Sequence, residues 1–252
     1  RQVILLFQPA EEGGHGAREM IKAGALEGVS EIYGWHNWPA LPYGTMACPD
    51  DLVMCGNGTF DIQLNGKGGH ASQPEACDDL VLAGSAIVVA LQQIVSRQLP
   101  PQTNAVISVT EFHTGNAPTV MPDEARLSGS IRVPDEDTRS RINKAISNTV
   151  QHTAAVYGIE CEVTHHPRYQ ATINHPEQAR TAREAWTEQR GPEGLQHGNP
   201  MPVMASEDFS YYLRYIPGAF ALIGGDDGQR YPHPCHSPKY DFNDRLIEDV
   251  CR

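Results

Sequence analysis

Val3-Ile4-Leu5-Leu6-Phe7-Gln8-Pro9-Ala10-Glu11-Glu12-Gly13-Gly14-His15-Gly16 is the stretch on which the fold reading turns. An apolar run opening on β-branched residues stops at Pro9 and the glycines, and a helix-like stretch follows from Ala17 to Ala23. The pattern predicts a buried strand, a loop and a helix, the repeating unit of an α/β sheet. Glu11 and Glu12 then fall just beyond a strand, where ligands collect in open α/β sheets. Two adjacent, poorly solvated carboxylates repel, and one takes up a proton. A metal ion removes the conflict: one carboxylate binds it and the other accepts a proton from the metal's water. The alternative reading is a solvated acidic pair in a surface loop.

The bulk numbers narrow the class. With 252 residues, 40% hydrophobic and 20% charged, the chain can bury a core as one large domain or two small ones. A formal net charge of -12 argues against a nucleic-acid surface, which needs a basic stripe. The six cysteines, Cys48, Cys55, Cys77, Cys161, Cys235 and Cys251, form no CxxC pair and read as reduced thiols of a cytoplasmic protein. The apolar stretch from Leu80 to Val95 is too short and too polar for a membrane span. Arg1 opens directly onto the apolar run, and the expectation is that upstream sequence is missing.

Further along, Ser30 to Gly34 predicts a second short strand, ending in the loop Trp35-His36-Asn37-Trp38-Pro39. The Pro- and Gly-rich segment from Ala40 to Gly58 reads as a linker or irregular arm. Phe60, Ile62 and Leu64 then alternate with polar residues in a half-buried strand. A Gly-rich loop with His70 leads to an apolar helix from Asp78 to Gln98. Ala105, Ile107 and Val109 mark another strand, and Leu127, Ile131 and Val133 the next. Asp135 caps a helix with Ile142, Ile146, Val150 and Ala154 on one face, Gly158 closes it, and Ile159, Cys161 and Val163 form a last strand. This is a β-α-β-β-α-β order, the ferredoxin-like split pattern. After it come a helix from Pro176 to Arg190, a loop to Pro202, a helix start at Ser206-Glu207-Asp208-Phe209 with Ser206 as cap, and a buried strand from Ala219 to Ile223. A loop bearing His233, Cys235 and His236 precedes a terminal helix from Arg245. The expected architecture is an interrupted α/β catalytic domain (1–57 plus 167–252) carrying an inserted ferredoxin-like domain (58–166).

Glu11, Glu12, His36 and His236 all fall at or beyond predicted strand ends, which converge in one sheet. Carboxylate and imidazole are ligands that zinc and similar metals accept. The competing reading packs His36 between Trp35 and Trp38, and makes His236 an ordinary loop histidine. His70, among glycines, can approach a ligand closely and donate to a developing oxyanion, or it is a surface-turn histidine. Arg132 can clamp a carboxylate bidentately or form a surface salt bridge. His165, His166 and His197 read as solvated.

Taken together, Phe7-Gln8-Pro9-Ala10-Glu11-Glu12, Gly34-Trp35-His36-Asn37-Trp38-Pro39, Gly66-Lys67-Gly68-Gly69-His70-Ala71, Gly129-Ser130-Ile131-Arg132, Ser206-Glu207-Asp208-Phe209 and His236-Ser237-Pro238-Lys239-Tyr240-Asp241-Phe242-Asn243-Asp244 carry a resemblance over essentially the whole chain. The chain resembles the dinuclear metal amidohydrolases of the aminoacylase, hippurate hydrolase and auxin-conjugate hydrolase group, relatives of the glutamate carboxypeptidases. The resemblance implies two divalent metal ions (zinc, manganese, cobalt or nickel) and hydrolysis of N-acyl amino acids or related small amides. It implies Glu11 as general base, Glu12 and His236 as ligands of one metal, and His36 as ligand of the second. His70 would reach the scissile carbonyl, with Arg132, Thr119 and Glu207 on the substrate side. The inserted domain would be the family's lid or dimerisation domain, pairing the chain with a second copy. Three departures stand out. The family's Cys-Gly-His-Asp-Gly-His run, with two of five protein ligands, is absent, so the chain reads as an N-terminally truncated fragment. Thr119 stands where the family usually has asparagine, and Cys235 where an apolar residue commonly precedes the ligand histidine. The alternatives are a catalytically inactive metal- or ligand-binding remnant, or a dipeptidase or carboxypeptidase. No nucleic-acid or membrane partner is expected.

Overall fold

The computed structural model describes residues 2–196 and 201–251, so His197 lies outside the described residues. In chain order the first elements are α1 (Gly16–Lys22), β1 (Ile32–Pro42), β2 (Met46–Ala47), β3 (Leu52–Met54), β4 (Gly56–Asn65), β5 (Gly69–His70), α2 (Leu80–Leu91) and β6 (Val106–Thr114). They continue with β7 (Val120–Met121), β8 (Glu124–Val133), α3 (Glu136–Val156), β9 (Glu160–Pro167), β10 (Thr172–Ile173), α4 (Pro176–Arg190), β11 (Gly218–Asp226) and α5 (Arg245–Cys251). The result is a mixed α/β fold with several sheets. The chain separates into two compact units, one made of Arg1–Met54 with Ala171–Arg252 and the other of Cys55–Gln170.

In the first unit β1 runs parallel to β11, which also pairs antiparallel with β2. β11 is buried on both faces, which explains its unbroken apolar run Ala219-Phe220-Ala221-Leu222-Ile223. Phe220 and Leu222 face Ala17 of α1 and the 3-10 turn of Phe209, Tyr212 and Leu213. Ala219, Ala221 and Ile223 face Trp186 of α4 and Leu246 of α5. Gly34 lets the Phe209 ring lie on β1: a Cβ there would sit 2.5 Å from a ring carbon.

In the second unit four antiparallel strands stand in the order β6-β8-β4-β9. The inward residues Phe60, Ile62 and Leu64 of β4 and Leu127 and Ile131 of β8 meet Leu80, Ile87 and Leu91 of α2 and Ile142, Ile146 and Val150 of α3. Asp135 caps α3 by accepting the Thr138 N–H at 2.6 Å. The Asn57 and Tyr169 carbonyls each accept a hydrogen bond from the buried Arg139 guanidinium, at 2.7 and 2.8 Å.

Several local expectations are corrected. Residues 3–7 form no strand, and Val3, Leu5 and Phe7 are exposed. An apolar run becomes a strand through a neighbouring ladder, and this segment meets none among the described residues. The Trp35–Pro39 motif is not a loop beyond β1 but its continuation, with Trp35 opposite Ala221 and His36 opposite Leu222. Pro39 is tolerated because the register breaks between Trp38 and Pro42, where no ladder bond is lost. The 40–58 segment is no free linker: β2 and β3 lie in it, and Cys48, Val53 and Met54 are buried. The apolar helix ends as an α-helix at Leu91 and continues as a wider π-helical turn over Ile94–Gln98. Glu207, not Ser206, caps the turn at Asp208–Arg214, its side chain accepting the Phe209 N–H. Neither His165 nor His166 is simply solvated: they bond Ser147 Oγ at 2.9 Å and the Asp61 carboxylate at 3.0 Å. Among the described residues no helix is long and apolar enough to cross a membrane.

Candidate active site

The first unit gathers Glu11, Glu12, His36 and His236, with Glu207 and Asp208 beside them. The turn carrying the two glutamates is wound tightly. Ala10 and His15 adopt left-handed backbone angles (φ 58° and 53°), and Gly14 N–H donates to the Ala10 carbonyl at 3.0 Å. Gly16 has no room for a side chain, since a Cβ would fall 1.6 Å from the Pro9 carbonyl oxygen. His236 is also left-handed (φ 68°). Non-glycine residues held there are uncommon, and they cluster at functional sites.

Glu11 is half-buried. Burial, then Asp208, then Glu12 hold its carboxyl above the usual carboxylate range, while the Asp208 backbone N–H, donating to it, works the other way. Glu207 is buried, and desolvation followed by the Glu11 charge pushes it up to about 8. Oxygens of Glu11, Glu207 and Asp208 lie within 4.8 Å of one another, an acidic group able to face a cation. Asp208 is already engaged: its side chain accepts Gln8 Nε2 at 2.7 Å and the Ala17 N–H at 3.0 Å.

On the other side of the Glu-Glu turn, His236 Nε2 lies 3.7 Å from a Glu12 carboxylate oxygen, both side chains being well exposed. His36 sits on β1, edge-on to Trp38 at 5.7 Å between ring centroids. Its Nδ1 is 2.6 Å from the Asn37 carbonyl oxygen. A carbonyl only accepts, so Nδ1 carries the proton and Nε2 keeps its lone pair. Burial, chiefly, holds the ring's pKa below the ordinary histidine value and keeps it neutral. A neutral imidazole whose second nitrogen is oriented by a carbonyl is the usual form of a metal-ligating histidine. The Asn37 side chain donates to Tyr240 Oη, and Cys235 Sγ donates to the Asn37 carbonyl at 3.6 Å, so the 235–240 loop is held on β1 and delivers His236. Burial pushes the Cys235 thiol's pKa up. Glu12, His36 and His236 thus fit as donors to borderline divalent cations.

The remaining predicted site residues lie in the second unit. His70 Nδ1 accepts the Ser72 N–H at 3.1 Å, which places the proton of the neutral ring on Nε2. Arg132 is half-buried on β8 and donates to the Ile131 carbonyl at 3.1 Å. Burial, then the nearby Arg168 charge, lowers its pKa. Thr119 is exposed, and its carbonyl accepts the Ala71 N–H beside His70. Sequence reasoning missed Gln8, Asn37, Asp208 and Tyr240 as parts of the site. All four lie inside the quoted motifs, which was the available signal.

Residues 1–251 match the family described as peptidase family M20/M25/M40. The chain belongs to that family. Within M20/M25/M40 it is 34% identical over 250 residues to the IAA-amino acid hydrolase ILR1-like 4 of Arabidopsis thaliana, covering 97% of this chain and 56% of that protein. It is also 34% identical over 245 residues to the hippurate hydrolase of Campylobacter jejuni, covering 96% of this chain and 63% of that protein. The crystal structure of the Bacillus subtilis YXEP protein, a dinuclear metal-binding peptidase from M20, superposes with a TM-score of 0.78 at 29% identity, covering 96% of this chain and 60% of that one. The chain therefore spans 56 to 63% of the length of these M20 relatives.

Proposed function

We propose that the protein is a metal-dependent amidohydrolase that cleaves the amide bond of N-acyl amino acids. The observation that carries this reading is Glu11, half-buried and held by the Asp208 amide, next to the donors Glu12, His236 and His36. The relatives named as hydrolases of amino-acid conjugates and of hippurate support the substrate class. Glu12 and His236 would hold one divalent cation and His36 a second, the metal-ligand set being completed by groups other than these three. The cations would polarise the amide carbonyl and acidify water. Glu11 takes the proton from water and returns it to the leaving amine, a task for which a raised carboxyl pKa is suited. Glu207, on the substrate side, shares its surroundings with Glu11. His70 offers its Nε2–H to the carbonyl oxygen as charge develops there. Arg132, with Thr119, would receive the substrate carboxylate.

The second unit serves in this proposal as lid and dimerisation domain. Its support is that β6 and β9 are the edge strands of their sheet among the described residues, and that Val81, Leu82 and Val89 of α2 are exposed. A cytoplasmic setting suits the six free thiols. The test is a substrate panel with the natural protein loaded with zinc or manganese. The expected result is release of amino acid from N-acetyl and N-benzoyl amino acids. Cleavage of dipeptides alone would move the assignment to a peptidase, and no cleavage with metals bound would make the chain a binding protein.

A further inference from the structure

Asp208 is fully buried, and its carboxylate is spent on groups far away in the chain. One carboxylate oxygen accepts Gln8 Nε2 at 2.7 Å, and the other accepts the Ala17 backbone N–H at 3.0 Å. Its own backbone N–H donates to the Glu11 carboxylate, and is shared with the carboxylate of Glu207. Gln8 and Ala17 bracket the turn that carries Glu11 and Glu12. The carboxylate therefore grips both ends of that turn, while the amide of the same residue holds the side chain projecting from its middle. The turn has a use for such a grip, because its left-handed Ala10 and His15 are conformations a free chain seldom keeps.

We infer that Asp208 is the positioning residue for Glu11, clamping the Glu11–Glu12 turn at Gln8 and Ala17 so that the Glu11 carboxylate stays aimed at the reacting water. The inference rests on the proposed role of Glu11 as the proton-moving group. Asp208 itself moves no proton and touches no substrate. A base displaced by about 1 Å costs on the order of a hundredfold in rate, so the clamp is visible in kcat rather than in KM.

Two substitutions separate the clamp from the charge. Asp208→Asn keeps an acceptor for the Ala17 N–H and, once the Gln8 amide turns over, offers its own N–H to Gln8 Oε1, so both grips persist without the charge. Asp208→Ala removes both. The measurements are kcat, KM and metal content on an N-acyl amino acid, with amide hydrogen exchange across residues 9–17 as a readout independent of turnover. The expected result for Asp208→Ala is kcat lower by about a hundredfold, KM and metal content within about twofold, and exchange faster by at least about tenfold across the turn. Asp208→Asn should stay within about fivefold of wild type in kcat and show near-native exchange. Should Asp208→Ala not fold, Gln8→Ala removes one grip and should lower kcat about tenfold and loosen the same amides. Native exchange in Asp208→Ala or Gln8→Ala overturns the inference, as does Asp208→Asn behaving like Asp208→Ala. If wild type hydrolyses nothing, or Glu11→Gln stays active, the reading of Glu11 fails instead, and exchange still decides whether Asp208 holds the turn.

Discussion

Gly34→Ala transmits strain from the sheet to the candidate site. The added Cβ would lie 2.5, 2.8 and 2.9 Å from three carbons of the Phe209 ring, whereas carbon atoms rest at about 3.5–4.0 Å. The ring must therefore retreat by about 1 Å. It cannot simply swing aside, since Phe220 and Tyr212 stand against it with centroids 5.0 and 5.4 Å away. Overpacking of this kind costs about 1–3 kcal/mol. The displaced residue directly follows Asp208, and its amide bonds the Glu207 carboxylate, so the Glu11 carboxylate loses its fixed support as well. Urea unfolding followed by tryptophan fluorescence reads the first effect, because all three tryptophans (Trp35, Trp38 and Trp186) lie in this unit. Turnover reads the second, with a drop of about tenfold or more. A double-mutant cycle isolates the cause: Phe209→Leu, itself destabilising, should recover about 1 kcal/mol or more of the Gly34→Ala loss. Additive effects, or a Gly34→Ala protein as stable as wild type, would refute the reasoning.

In the metal-free protein, Glu207 is protonated more readily folded (pKa about 8) than unfolded (4.5), so its contribution to stability is complete below about pH 4.5 and lost as pH rises through 8. Glu207→Gln should therefore flatten the fall in urea midpoint between pH 5 and pH 8 relative to wild type, and an unchanged slope would contradict the cause assigned. Arg139→Ala removes two charge-assisted bonds to backbone carbonyls, together with the ion pair to Glu136, from a side chain only 5% exposed and should lower the stability of the second unit by about 3 kcal/mol. Far-UV circular dichroism in urea checks this, and an unshifted midpoint would count against it. Glu12→Ala and His236→Ala should each lose bound metal, as measured by elemental analysis after reconstitution, and full occupancy in either would remove that residue from the ligand set.

What the sequence made legible follows from where the controlling interactions lie. Phe60, Ile62 and Leu64, or Ile142, Ile146 and Val150, declare their buried faces through local periodicity, because each meets its core in a regular repeat. Residues 3–7 carry the same apolar signal without a partner, and composition cannot reveal whether a ladder exists. The Trp35–Pro39 motif reads as a loop because of Pro39, yet β11 alongside extends the strand through it. Glu11, Glu12, His36 and His236 stand out by residue type and motif. Asp208 lies inside a motif as well, but its part in holding the turn is not legible there, because its partners Gln8 and Ala17 lie 200 and 191 residues away and only the fold joins them. Ser206 was the better cap by type, but the buried Glu207 reaches the Phe209 amide first.

The central claim is that Glu11 moves protons for amide hydrolysis beside a metal site that it does not itself build. The most direct measurement is metal content and N-acyl amino acid turnover on the same preparations of wild type and Glu11→Ala. The account predicts equal metal in both and turnover in the wild type alone. Turnover retained by Glu11→Ala, or metal lost along with it, would contradict the account.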